Sequence, residues 1–252
     1  MRLDSLNRFK ASAIHLALSA AIGATVVALM LALWYPKHYF AAMGGGMLII
    51  LLIGVDVVLG PLITLIVFNP KKKSLRFDLA VIALVQLAAL VYGCSVMFEA
   101  RPVYSVFVAD RFEVIAANAI DEASREKAAP EFRALSLTGP RVVGAREPAD
   151  EDRKAEIVMS AAKGGFDLAN LPDLYVPYAQ VRQDAARAAK PLAELAKRQP
   201  HDAVAIRAFV ADSGRAEDAV GFVPMRARND DMSVVVDKKS GDIVGIVPVN
   251  PW

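Results

Sequence analysis

The feature that most limits what this chain can become is the spacing of charges over its first hundred residues. Residues 11–36 hold no Asp, Glu, Lys or Arg, a run of 26 positions. Between Lys37 and Lys71 lie 33 residues with a single charge, Asp56, and residues 79–98 add 20 uncharged positions framed by Asp78 and Glu99. About 20 apolar residues suffice to carry a helix across a bilayer. The pattern predicts three spans, about 12–34, 45–68 and 78–98. The first is too long for the apolar core of a cleaved signal peptide, has no clear A-x-A site before Trp34-Tyr35-Pro36, and is followed by two more spans.

Composition agrees. The chain is 55% hydrophobic with a mean hydropathy of +0.37, too apolar for a disordered chain or an ordinary soluble globule. The average hides a division. Residues 1–98 carry 8 Lys/Arg against 3 Asp/Glu, whereas 99–252 carry 21 against 24. The expected organisation is a three-span α-helical membrane domain over 1–98 and a soluble domain over 99–252. A net charge of +2 supplies no global basic field, so nucleic acid is not an expected partner.

Positive residues set the orientation. Arg2, Arg8 and Lys10 precede the first span, and Lys71, Lys72, Lys73 and Arg76 fill the loop between the second and third. Three spans place both groups on one side, which the positive-inside rule makes the cytoplasm. The C-terminal domain then lies outside, in the periplasm of a Gram-negative cell. The lysine run is a membrane anchor first. It also attracts anionic lipid, at about 1 kcal/mol per basic residue, or an acidic partner.

In the soluble part, 103–108 and 112–115 alternate or cluster β-formers as strands do. Residues 119–129 predict a helix stopped by Pro130, and 151–163 a helix capped by Asp150 and ended by Gly164-Gly165. Residues 178–198 look helical around Pro191, and 203–211 fit either state. Met232–Val236 and Ile243–Val247 flank a Gly-containing turn, a hairpin, with 222–228 a third strand. The expected class is α+β with a mostly antiparallel sheet. Arg101-Pro102 ends a short linker.

No recognisable catalytic constellation accompanies this. H-E-x-x-H, a P-loop and a nucleophile elbow are absent, one cysteine (Cys94) excludes an internal disulfide, and His15, His38 and His201 stand apart in sequence. No enzyme activity, metal or cofactor is expected.

Asp56 is the exception to an apolar segment. A carboxylate at mid-span costs about 2.5–3.5 kcal/mol on insertion scales, so it calls for a partner. Gln86 lies at a similar expected depth in the third span, with Thr64 and Ser19 as other hydrogen-bonding candidates. A structural bond, a polar group on another membrane helix, and an ion or proton path are the three open roles. Gly60-Pro61 should bend or loosen the second span and free a carbonyl that protein must satisfy. Ala20, Ala24, Ala28 and Ala32 recur every four residues of the first span. Small residues on one face allow close helix approach, either among the three spans or with a foreign helix.

Residues 53–93, IGVDVVLGPLITLIVFNPKKKSLRFDLAVIALVQLAALVYG, resemble the type IV pilin accessory proteins of Gram-negative bacteria, as do FKASAIHL (9–16), ARPVYSVFVADRFEVI (100–115) and the final Pro251-Trp252. From about 120 to 220 only the layout is shared. The resemblance implies a multi-pass inner-membrane helper of pilus biogenesis that acts, chaperone-like, on the pilin subunit before assembly. It implies no catalytic residue and no cofactor. Its implied partners are the type IV pilin, other inner-membrane assembly proteins and membrane lipid. Asp56, Gly60, Pro61, Gln86, Ala20, Ala24 and Ala28 are the candidate partner-binding residues on physical grounds. The alternatives are a membrane-anchored periplasmic sensor and a subunit of a larger transport or signalling complex.

Overall fold

A computed structural model describes residues 6–252; Arg2 lies outside the described residues. The chain divides into two compact units. The first comprises 1–33 and 45–99, the second 34–44 and 100–252.

In chain order the first unit and the loop inside it run α1 (Arg8–Leu33), α2 (Tyr39–Ala42, in the loop), α3 (Gly45–Ile53), a π-helical turn (Gly54–Leu59), α4 (Gly60–Val67) and α5 (Leu75–Glu99). Helices α1 and α5 are long and apolar enough to cross a membrane. They keep large apolar side chains outward, Leu84 at 67% exposure among them. That much exposed hydrocarbon suits a lipid surface and not a hydrated one. The expected second span is helical from Gly45 to Val67, but the π turn divides it into shorter pieces, so two helices are long and apolar enough to span where three spans were expected.

The second unit holds an eight-stranded sheet. Its elements are β1 (Pro102–Val108), β2 (Arg111–Ala116), α6 (Glu122–Lys127), α7 (Pro130–Arg133), β3 (Arg141–Ala145), α8 (Glu151–Ala162), β4 (Tyr175–Pro177), α9 (Arg182–Ala188), β5 (Lys190–Pro191), α10 (Leu192–Arg198), α11 (Ala203–Ser213), β6 (Val220–Arg226), β7 (Met232–Asp237) and β8 (Ile243–Val247). The strand order is β4-β3-β1-β2-β6-β7-β8, with β5 on β6. The expectation of a mostly antiparallel sheet is corrected: the sheet is mixed. β1 pairs β3 in parallel, and β2 pairs β6 in parallel. Parallel neighbours need long crossovers. The connections are long enough: residues 109–140 join β1 to β3 and include β2, α6 and α7, and residues 117–219 join β2 to β6 and include most of the helices of the unit; strand direction leaves no mark in residue periodicity.

Local signals mostly act as expected. Asp150 caps α8 by accepting from Asp152 N at 3.0 Å, and Gly164 (φ +79°) follows its end. The helix expected from 119 starts later, because Asp121 caps it through Ser124 N at 2.9 Å. Residues 203–213 resolve as helix, closed by Gly214 at φ +66°. Two cores form. Val103, Tyr104, Val106, Phe132 and Tyr175 fill one; Leu192, Leu195, Ile206, Phe222 and Val235 fill the other.

The loop 34–44 is built into this unit. Tyr35, Tyr39, Ala42 and Met43 are buried. Ala42 O accepts from Asn229 N at 2.8 Å and Asp230 N at 3.3 Å. Gly139, at φ +85°, has no Cβ because Pro36 Cγ would lie 2.7 Å from it. Burial pushes the Tyr39 hydroxyl up to about 12, so it stays protonated beside Ser105. The sequence boundary at 98/99 therefore omits a segment that folds with the second unit.

The β7–β8 turn carries a pH dependence. Asp237 Oδ1 accepts from Ser240 N and Lys239 N, each at 2.9 Å, and Oδ2 accepts from Arg215 Nη1 at 2.9 Å. These bonds, the Ser240 amide foremost, hold its carboxyl below the usual range. A depressed carboxyl stabilises the fold above its unfolded value, about 4, and loses that contribution as pH falls through the folded one. Thermal unfolding of the second unit should lose stability as pH drops below about 4, and Asp237→Asn should flatten that slope. An unchanged slope would remove Asp237 from the account.

Candidate functional site

The residues singled out in the second span meet in the π turn. In an α-helix the carbonyl of Asp56 would accept from the amide of residue 60, four on. Here Gly60 N bonds instead to Val55 O, five back. The π register would offer the Asp56 carbonyl to the amide of residue 61, but that residue is proline and has none. The carbonyl is left without a main-chain donor. Gln86 Nε2, on α5, donates to it at 2.9 Å. Gly60 makes room, since a Cβ there would collide with the Gln86 amide. Gly60, Pro61 and Gln86 thus form one device: the first two free a carbonyl and clear its approach, and the third satisfies it.

Gln86 therefore reaches Asp56 through the main chain and not through the carboxyl. The Asp56 side chain is 9% exposed, and its Oδ1 has no hydrogen-bond partner among the described residues. It lines a cavity of about 170 Å³ with His15, Ser19, Gly23, Gln86 and Leu87. Gln86 has committed its amide nitrogen, so its Oε1 remains an acceptor.

A seam between α1 and α4 frames this cavity. Ser12 Oγ donates to Pro61 O at 2.8 Å, His15 Nδ1 lies 2.6 Å from Thr64 Oγ1, and Gly23 faces Val57. Ser12, His15, Ser19 and Gly23 follow one another at three- and four-residue steps, one face of a helix. Sequence reasoning missed Ser12 and His15; that spacing of polar and small residues inside an uncharged run was the signal. Ala20, Ala24 and Ala28 lie elsewhere, exposed on α1 and away from the seam. Lys71, Lys72, Lys73 and Arg76 are exposed at the ends of α4 and α5, with Lys72 Nζ 2.6 Å from Asp78 Oδ2. Among the described residues no three His, Cys, Asp or Glu side chains gather as metal ligands.

Two apolar helices, a largely apolar cavity holding one carboxyl side chain, and a separate mixed-sheet unit fit a membrane-associated two-unit protein. Its relatives make the class specific. The model of the fimbrial assembly protein FimB family matches residues 4–44, which include the α1 side of the seam and the buried loop. The chain is 37% identical over 187 residues to a fimbrial assembly protein of Dichelobacter nodosus, serogroup I, covering 73% of this chain and 72% of that one. It is 35% identical over 187 residues to the serogroup E1 protein, with the same coverage, and 39% identical over 108 residues to that of serogroups C1 and C2, 42% of this chain and 82% of the relative. No solved structure matches. The chain belongs to the fimbrial assembly protein family, and its role lies in pilus assembly. The resemblance to pilin accessory proteins drawn from residues 53–93 agrees with this membership.

Proposed function

We propose that the chain is an inner-membrane helper that binds the type IV pilin subunit and holds it before assembly, without catalysing a reaction. In this reading the helical run 45–67 is a third span. The N-terminus and the Lys71–Arg76 loop face the cytoplasm, and the sheet unit stands in the periplasm. The positive charges at one pair of span ends support that orientation. The single observation that carries the proposal is the similarity to fimbrial assembly proteins over most of both chains; a buried Asp56 oxygen without a partner among the described residues of the membrane unit supports it. The exposed alanine face of α1 and the Asp56 cavity are the surfaces offered to the pilin helix. The sheet unit is offered to the pilin head.

A photo-crosslinking amino acid at Ala24, introduced into the full chain in piliated cells, should give an adduct with pilin. Deleting the chain should lower pilin abundance or surface pili. The reading fails if pilin amount and piliation are the same with and without the chain and no adduct forms.

A further inference from the structure

We infer that the Asp56 cavity is a binding site for a protonated amine carried on a partner's transmembrane helix. This rests on the reading that the membrane unit holds a partner segment, and it names the chemistry of the contact.

Asp56 sits eleven residues from each end of the helical run Gly45–Val67, so about 16 Å from either end at the helical rise. Its main-chain carbonyl is satisfied by Gln86 and its Oδ1 by nothing described. The cations of the unit stand at the helix ends: Arg8, Lys10, Lys71, Lys72, Lys73 and Arg76. No lysine or arginine among the described residues shares the cavity; the imidazole of His15 lines it, with Nδ1 2.6 Å from Thr64 Oγ1. A buried carboxylate without a cation is costly, so a cationic hydrogen-bond donor gains most there. Three side chains that carry acceptor oxygens, Asp56, Gln86 and Ser19, line the cavity together, with Asp56 Oδ1 itself fully enclosed beside it. An ammonium has three N–H donors and no acceptor. Its volume of about 170 Å³ has room for the end of an aminoalkyl chain.

Three other occupants fit worse. The amine of a lipid headgroup belongs at the interface, a helical half-span away. A metal cation would need more oxygen ligands than these three side chains provide. An acyl chain has no donor for Oδ1. The shape of the surroundings favours a helix. A second, apolar cavity of about 350 Å³ shares His15, Leu18 and Ala83 with the first and continues past Thr64 to Phe68 and Leu79. Together the two make a groove along α1 that runs from the lysine-rich end to mid-span. An elongated apolar segment with one amine fits such a groove, and a polypeptide at that depth must be helical to satisfy its backbone.

The test uses the full chain in phosphatidylcholine nanodiscs and synthetic Leu/Ala transmembrane helices labelled for energy transfer. One carries a central Lys, one a central Gln, and one is wholly apolar. The Lys helix should bind about tenfold or more tightly than the other two, and Asp56→Asn should remove that advantage. Binding of the Gln and apolar helices, and denaturant unfolding of the membrane unit, should be unchanged in the variant, showing that the substituted unit is folded. Equal binding of the Lys and Gln helices, or an undiminished Lys advantage in Asp56→Asn, overturns the amine site. The pilin reading is scored separately: an Ala24 adduct with pilin that persists in Asp56→Asn would leave the helper role standing while the amine site falls.

Discussion

Replacing Gln86 with Leu is expected to destabilise the membrane unit by about 1–3 kcal/mol, the cost of a buried carbonyl left unpaired. The loss arises on a different helix from the one substituted. Gly60 N bonds to Val55 O and Pro61 has no N–H, so neither donates to the Asp56 carbonyl, and Gln86 Nε2 donates to it at 2.9 Å. Gly60→Ala should produce a loss of similar size by another route, because the new methyl occupies the space of the Gln86 amide and displaces it. The double variant is the decisive measurement. If both single changes break the same bond, the second adds little, and the coupling energy equals most of one single effect. Denaturant unfolding of the full chain in mixed micelles reads all three. Additive losses, or a neutral Gly60→Ala, would show that the amide and the glycine do not act together.

The legibility of this site was uneven, for physical reasons. Asp56, Gly60, Pro61 and Gln86 stood out because a charge, a helix breaker and an amide are rare in hydrocarbon, and rarity is visible in one dimension. How they connect was not visible. An aspartate and a glutamine at equal depth suggest a side-chain pair, whereas the bond made is from amide to main chain, since only the π register decides which carbonyl loses its donor. His15 was hidden for the opposite reason: the run that marked the span was defined by the absence of Asp, Glu, Lys and Arg, and a histidine does not interrupt it. In the sheet unit, strands with clear turn chemistry emerged from the sequence, as around Asp237 and Gly241. β3, β4 and β5 did not: Arg141–Ala145 includes a glycine and two exposed positions, and the other two are only three and two residues long. Their identity as strands comes from neighbours distant in the chain. Gly144 shows the dependence, since a Cβ there would lie 2.9 Å from Val181 Cγ1, thirty-seven residues on.

The loop 34–44 was the largest surprise, and it sets the second strong expectation. Eleven residues between two apolar segments look like a hydrated connector, with Lys37 and His38 as its polar members. In a connector, Tyr39→Ala would change stability by about 0.5 kcal/mol or less. Here Tyr39 is 9% exposed, and Ala42, three residues on, holds the β6–β7 turn through Asn229 and Asp230. Truncating a buried aromatic to alanine costs about 3–5 kcal/mol. The same loss should follow for Tyr39→Ala, and it should register as lower thermal stability and faster proteolysis of the sheet unit, although the substitution lies some sixty residues before β1. Tyr39→Phe keeps the ring, and the Ser105 Oγ beside it makes no well-formed hydrogen bond, so that variant should stay within about 1 kcal/mol of wild type. A sheet unit indifferent to Tyr39→Ala would return the loop to the status of a tether. A sheet unit that melts early would establish that the loop around Tyr39 is part of the folded body of that unit.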